Sequence, residues 1–213
     1  DFIIRYDDTN ASIEELIAIR PDQLLLIDDR YLTGSKAEDE AMAKAYNRTT
    51  RVIGDGRARK KFGTDGNPLE NRKYRGAILS TAEFFSLPTL SSILRSILFE
   101  IHEGEFNFDI ASILQDNRDL ANAFFSSFIL WLQYNQKFVI NYLNTENKRS
   151  YEYYKKACAT KEARIISMAN ALGLQVNLLN QFLAEIDTSG SGPRIPINVV
   201  ETHIRGYSTQ IEM

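Results

Sequence analysis

The amino-acid sequence predicts an α/β fold with a parallel sheet in the first part of the chain and an all-helical region after it. In the first hundred residues, short aliphatic runs bounded by turn residues alternate with helical patterns, which is typical of parallel strands buried on both faces. From residue 107 onwards, apolar residues recur at helical spacing instead. With 213 residues, of which 44% are hydrophobic and 25% charged, the chain has the composition of a globular protein with a sizeable core.

The predicted elements follow one another in a simple order. Strands are predicted at residues 2–6, 24–28, 77–81 and 97–101, and helices of the first part at residues 12–20 and 36–46. Helices of the second part are predicted at residues 110–117, 118–143, 150–159, 160–172 and 174–185, with Gly173 as a stop. We therefore expect an α/β part (residues 1–106), a helical part (residues 107–187), and a linker and tail (residues 188–213).

The strand at residues 24–28 is the centre of the predicted sheet, and two carboxylates stand at its end. Four aliphatic residues, Leu24 to Ile27, are followed directly by Asp28 and Asp29. Open parallel sheets bind ligands at the carboxyl ends of their strands, so the two acids are candidates for a nucleotide site. The alternative is that they only cap the following loop, as Asp does after many buried strands.

A basic segment covers residues 48–75. It contains nine basic residues against three acids, whereas the whole chain carries a net charge of −3. Dense turn residues near its middle predict a hairpin, or a long looped excursion, over residues 49–75 with its tip near Asp65 and Gly66. Four basic side chains near the turn are candidates for contacts with nucleic-acid phosphates: Arg57, Arg59, Lys60 and Lys61. The alternative is a solvated basic loop that binds no ligand.

Five stretches occur in a characteristic order. They are Asp-Thr-Asn-Ala-Ser at residues 8–12, the strand ending in Asp28, the basic hairpin, Arg-Gly-Ala-Ile-Leu-Ser-Thr-Ala-Glu at residues 75–83, and Leu-Arg-Ser-Ile-Leu at residues 94–98. This set resembles the AAA+ ATPases of mobile-element and phage replication helicases, whose strand-end motif is typically Arg-Gly-x-x-x-Ser-Thr-Gly-Glu; here Ala82 replaces the last Gly. It is more distantly similar to the minichromosome-maintenance helicases, which insert a β-hairpin between the same two strands. The resemblance covers about residues 7–101.

The resemblance implies that the chain is the rear part of a P-loop NTPase (AAA+) core, followed by a helical lid. The chain contains no Gly-Lys-Ser/Thr, so the Walker A loop is expected upstream. In the family's scheme, Asp28 holds Mg²⁺ through its water shell, and Asp29 orients and deprotonates the attacking water, although Glu is commoner there. One of Ser80, Thr81 and Glu83 senses the γ-phosphate, and which of the three does so is open.

Two arginines receive roles from the same resemblance. Arg95 falls at the arginine-finger position, from which it would reach the site of the next subunit in a ring. The alternative for Arg95 is an ordinary ion pair with a carboxylate. Arg164, in the helical part, is a candidate second phosphate sensor, and a solvated position near a helix start is its alternative. The implied cofactors of the full-length protein are ATP and Mg²⁺, and the implied partners are DNA and further copies of the chain.

Composition limits the remaining possibilities. A single cysteine, Cys158, excludes an internal disulfide and fits a reducing cytosol, and the longest apolar stretch, residues 124–132, is too short to span a bilayer. We therefore expect a cytoplasmic protein without membrane contact. The leading hypothesis is a fragment of an ATP-dependent DNA helicase or replication ATPase that is inactive alone. The alternative is a non-enzymatic DNA-binding or protein-interaction domain that uses the basic segment.

Overall fold

The chain forms two compact units, Asp1–Ile97 and Leu98–Met213. The first unit contains a parallel sheet with helices, and the second unit is built from helices, which confirms the predicted order of an α/β part and a helical part. None of the described helices combines the length and the apolar character needed to cross a bilayer. The computed structural model describes residues 3–5, 10–20, 22–30, 34–56, 74–83, 90–97, 99, 101–158, 162–187 and 189–202.

In the part of the first unit that the structure describes, three parallel strands form a sheet: β1 (Ile3–Arg5), β2 (Leu24–Arg30) and β3 (Ala77–Ala82). They lie side by side in chain order, with Leu26 of the central strand opposite Ile3 on one side and Leu79 on the other. Because all three strands run in the same direction, their carboxyl ends meet at one edge of the sheet. The register between β2 and β3 becomes irregular at that end, between Ile27 and Arg30.

One face of this sheet is packed and the other is open. The described residues of the unit include three helices: α1 (Asn10–Ile19), α2 (Lys36–Asp55) and α3 (Leu90–Ile93). Leu25 and Ile27 join an aliphatic core with side chains of α1 and α2. On the opposite face Leu24 is 65% exposed and Leu79 is 51% exposed. The prediction that the central strand is buried on both faces is therefore wrong.

Helix α2 extends further than predicted. The β-branched run at residues 49–53, predicted as the first arm of the hairpin, forms the last turns of this helix. Thr49 and Val52 are buried together with Ala45 and Met42, at spacings that place all four on one side of the helix. Burial of this apolar stripe outweighs the strand preference of β-branched side chains. The prediction of a strand there is wrong, and the remainder of the predicted hairpin, residues 57–73, lies outside the described residues.

The strand predicted at residues 97–101 does not form in the described part of that stretch. Ile97, Phe99 and Ile101 belong to neither helix nor strand. Phe99 is 65% exposed and Ile101 is 68% exposed, so this apolar run lacks the packing that a buried strand requires. Residues 98 and 100 lie outside the described residues.

The described residues of the second unit include the helices α4 (Phe108–Asp116), α5 (Arg118–Tyr134), α6 (Gln136–Ala157) and α7 (Ala163–Ile186), and a short helical stretch at residues 198–202. The helix predicted over residues 118–143 is interrupted at Asn135. The two helices predicted on either side of Gly173 form one continuous helix, α7. The reason is a close contact: a Cβ atom on Gly173 would lie 2.1 Å from Tyr154 Oη of α6. This glycine allows two helices to approach, and it does not end either of them.

The segment after α7 is folded against that helix. The side-chain amide of Asn180 accepts a hydrogen bond from the backbone N–H of Ile195 and donates one to its carbonyl, both at 2.8 Å. The carboxylate of Asp187 accepts hydrogen bonds from Ser189 and from the backbone N–H of Gly192. These bonds to Ser189 and Gly192 lower the pKa of Asp187. The described part of the predicted linker therefore has a defined turn.

Candidate functional site

The carboxyl ends of β2 and β3 bring together two of the predicted site residues. Thr81 Oγ1 donates a hydrogen bond to Asp28 Oδ1. The Asp28 side chain is half-buried and that of Thr81 is exposed. Because a carboxylate can accept about four hydrogen bonds, this bond orients the Asp28 carboxylate without saturating it.

The sheet register distinguishes Thr81 from the other two sensor candidates. Ser80 pairs with Ile27, one residue before Asp28, and side chains alternate between the faces of a strand. Ser80 therefore belongs with the packed face and Thr81 with the open face, where Asp28 also lies. Glu83 is exposed and follows the end of β3. Of the three candidates, Thr81 has a hydrogen bond to the Asp28 carboxylate among the contacts that the structure describes.

The Arg-Gly pair before β3 fixes this register. Arg75 Nε donates to Asp22 Oδ1 at 2.8 Å and Arg75 Nη2 donates to Asp22 Oδ2 at 2.7 Å, a bidentate pair between the starts of β3 and β2. Hydrogen bonding to Arg75 lowers the pKa of the Asp22 carboxyl. A Cβ on Gly76 would lie 2.5 Å from the carbonyl oxygen of Gln23, so only glycine allows this approach. Sequence reasoning missed Asp22, and its only signal was an acid before one strand and an arginine before the next.

Asp29 belongs to β2, and its side chain lies outside what the structure describes. The four basic candidates of the hairpin, Arg57, Arg59, Lys60 and Lys61, also lie outside the described residues. Arg164 is exposed in the first turn of α7, in the second unit. The roles predicted for these residues stay predictions.

Both ends of the basic segment are paired with acids of the first unit. Arg48 of α2 contacts Glu14 of α1, with Nη2 to Oε1 at 2.7 Å, and the Glu14 side chain is only 5% exposed. Arg75 is held by Asp22 in the same way. A basic surface made by this segment would therefore depend on residues between its ends, because the charges of Arg48 and Arg75 are already balanced.

Arg95 contacts the end of helix α2. Its Nε and Nη2 atoms donate to Asp55 Oδ1 at 3.0 Å and 2.8 Å, and its Nη1 atom donates to the backbone oxygen and the hydroxyl of Ser91. The Arg95 side chain is 11% exposed and that of Asp55 is 51% exposed. The ion pair that was the alternative for Arg95 is therefore present, with a partner that sequence reasoning had not named.

The donor chemistry at Asp28 suits a magnesium ion held through water. Among the residues that the structure describes, no group of three or more His, Cys, Asp and Glu side chains could hold a metal. Mg²⁺ keeps several waters and is commonly bound by one or two carboxylates together with substrate phosphates. Asp28 offers a carboxylate and Thr81 a hydroxyl, both oxygen ligands of the kind that this ion and its water shell prefer.

Comparison with protein-family models, with curated proteins and with solved structures finds no match for this chain. The resemblance to the AAA+ ATPases is thus supported only by the residues described above.

Proposed function

We propose that this chain provides the acidic, sensor and arginine-finger part of an ATP-hydrolysing site in an AAA+ ATPase of a DNA-replication helicase. The observation that supports the proposal is the hydrogen bond from Thr81 to Asp28 across the carboxyl ends of neighbouring parallel strands. A parallel sheet binds ligands at this edge, and the two residues come from the two stretches that resemble the family. Loop capping by Asp28 alone would not require a hydroxyl from the adjacent strand.

In this proposal each side chain has a separate task. Asp28 would hold Mg²⁺ through its water shell, and Thr81, which holds the Asp28 carboxylate by its hydrogen bond, is assigned the role of γ-phosphate sensor. Asp29 is assigned the task of orienting and deprotonating the attacking water. Bound Mg²⁺–ATP supplies the phosphoryl group, and the metal neutralises charge that develops on it. These 213 residues contain no Gly-Lys-Ser/Thr motif, so the proposal assigns the phosphate loop to a segment that they do not include.

DNA and neighbouring subunits belong to the same proposal. The basic residues between the paired ends of residues 48–75 are assigned to the phosphates of DNA, and Arg95 to the nucleotide of the next subunit in a ring. The balanced charges of Arg48 and Arg75 support an assignment to the middle of the segment.

The test begins with the complete reading frame. A Gly-x-x-x-x-Gly-Lys-Ser/Thr motif after a strand is expected within roughly 20 to 50 residues upstream of Asp1. In the protein so encoded, Asp28→Asn should lower kcat for Mg²⁺-dependent ATP hydrolysis by about 100-fold or more, since one well-placed electrostatic group contributes on that order. The 213-residue chain alone should not hydrolyse ATP.

Glu40→Gln is the matched control, because it makes the same carboxylate-to-amide change on an exposed face of helix α2. This control should keep the wild-type rate. Wild-type ATPase in the Asp28→Asn protein would remove Asp28 from the site. The absence of ATPase in the complete wild-type protein, or of the upstream motif, would favour the non-enzymatic alternative.

A further inference from the structure

Arg95 occupies a specific binding position within its own unit, which we call the Arg95 seat; it consists of Gly54, Asp55 and Ser91. Asp55 and Ser91 accept hydrogen bonds from all three nitrogen atoms of the guanidinium. An arginine has five N–H donors, so these bonds use four of them. The side chain is 11% exposed, which leaves little of the guanidinium accessible to another ligand.

The end of helix α2 contains two residues that are unfavourable for a helix, and both contact Arg95. Gly54 is a weak helix former, but a Cβ atom there would lie 2.7 Å from Arg95 Cδ and 2.8 Å from Arg95 Cγ. Asp55 is the last helical residue, where the helix dipole disfavours a negative charge, and it forms the ion pair with the guanidinium. The local sequence is therefore suited to holding Arg95 and is poor for the helix itself.

We propose that the seat is the closed position of a switch that regulates Arg95, an inference that rests on the proposed function. In the closed position, Asp55 and Ser91 occupy the donors that would otherwise bind phosphate. In the open position, the Asp55 pair is broken and the guanidinium contacts the phosphates of ATP bound by the neighbouring subunit.

Electrostatics make the exchange feasible. Asp55 is 51% exposed, so water can solvate its carboxylate when the pair opens, and Arg95 exchanges its bonds to Asp55 for bonds to a phosphate. A nucleotide triphosphate carries more negative charge than one carboxylate and accepts paired N–H donors from arginine. ATP in the neighbouring site therefore competes with Asp55 for the same donors. The fraction of subunits with Arg95 in the open position sets how strongly a subunit activates its neighbour, because only those subunits can contact the neighbour's ATP.

The experiment measures ATP hydrolysis by the complete protein as a function of protein concentration. Asp55→Asn keeps the shape of the side chain and removes its charge, so we expect ATPase at limiting protein concentration to rise about threefold or more. Arg95→Ala should abolish the ATPase. Glu40→Gln, which removes a carboxylate from an exposed pair on the same helix, should leave the rate unchanged.

The outcomes separate this inference from the proposed function. An unchanged or lower rate in Asp55→Asn, with ATPase lost in Arg95→Ala, overturns the switch and leaves the ATPase site intact. Full ATPase in Arg95→Ala overturns the switch as well, while the assignment of Asp28 is decided by its own variant. If the complete wild-type protein lacks ATPase, both proposals fail. Should Asp55→Asn fail to fold, Ser91→Ala, which removes one hydroxyl acceptor, should raise the rate about twofold, and no rise overturns the switch.

Discussion

Two polar contacts of the first unit differ in burial from two contacts of the second unit. In the first unit, Thr81 contacts Asp28 and Asp55 contacts Arg95 at strand and helix ends, and Thr81 and Asp55 are exposed, although Glu14 of the same unit is buried. In the second unit, Asn170 (6% exposed) and Tyr154 (3% exposed) are buried where helices α6 and α7 meet. An exposed polar group that loses its partner can bind water or a ligand instead, at little cost in free energy. A buried polar group that loses its partner has no water to replace it, so breaking the contact costs the desolvation free energy of that group.

This difference indicates what each arrangement does. In the second unit, Asn170 Nδ2 donates to Asn147 Oδ1 at 2.6 Å, and the Tyr154 ring lies against Gly173. These two contacts form at one alignment of the two helices, so they contribute to the register of α6 against α7. In the first unit the aliphatic core defines the fold, and the polar residues at the sheet edge are available for chemistry.

The largest change in the free energy of unfolding is expected when a side chain is added at the close contact between α6 and α7. Gly173→Ala should destabilise the chain by about 1–3 kcal/mol, because the new Cβ would lie 2.1 Å from Tyr154 Oη and 2.6 Å from its ring. The sign of this change in stability tests the close contact, since Gly→Ala inside a helix otherwise stabilises by roughly 0.5–1 kcal/mol. Chemical denaturation of the 213-residue chain measures the change.

Gln175→Ala is the control for this substitution. Gln175 is exposed on the same helix, so its replacement should change the free energy of unfolding by less than about 0.5 kcal/mol. A stabilising Gly173→Ala would show that the two helices are not packed this closely, and the contrast between the units would lose its main support.

The contact at Gly173 also shows where sequence reasoning reached its limit. Glycine locally favours a helix end, and only the position of Tyr154, nineteen residues earlier, explains why α7 continues through it. The same limit applies to α2, because strand propensity at residues 49–53 says nothing about which side of the helix is buried. Long-range packing decided both cases.

The candidate site was partly predictable because parallel strands bring their ends together. The sequence shows aliphatic runs followed by polar residues at Asp28 and at Thr81, which marks both as strand ends. Because the two strands were predicted to be parallel, their ends were expected to lie close together, as they do. The partners of Arg75 and Arg95 were not visible. Asp22 and Asp55 lie 53 and 40 residues away from them in the chain, and only the strand register and the fold of α2 bring each pair together.

A smaller change in stability is expected when the pH is raised, because Tyr154 is buried at the contact between α6 and α7. Burial, together with the nearby negative charge of Glu201, raises the pKa of Tyr154 from 10.0 to about 12. Between pH 10 and 12 the unfolded chain loses this proton while the folded chain keeps it. The stability that depends on the neutral phenol is therefore complete below pH 10 and is lost as the pH rises towards 12.

The measurement compares unfolding of the wild type and Tyr154→Phe from pH 8.5 to 11.5. We expect the wild type to lose about 1–2 kcal/mol more than the variant over this range, because the range covers most of the interval between the unfolded and folded pKa values but ends below the folded one. Equal pH dependence in the two proteins would show that Tyr154 is not held in a buried position. Tyr151→Phe, a half-buried tyrosine of the same helix, is the matched control.

The smallest effect on stability is expected at the candidate site itself. Thr81→Val removes the hydroxyl that donates to Asp28, and it should change the free energy of unfolding by no more than about 0.5 kcal/mol. Thr81 is exposed, so water replaces the lost donor, and valine is at least as well suited to a strand as threonine. Thr50→Val, which removes a hydroxyl bonded to the Tyr46 carbonyl within α2, is the control.

A loss above about 1.5 kcal/mol in Thr81→Val would make the contact structural. A small loss together with a fall in ATPase of the complete protein is what an exposed, exchangeable polar contact predicts, because the hydroxyl then acts on the orientation of Asp28 and not on the fold.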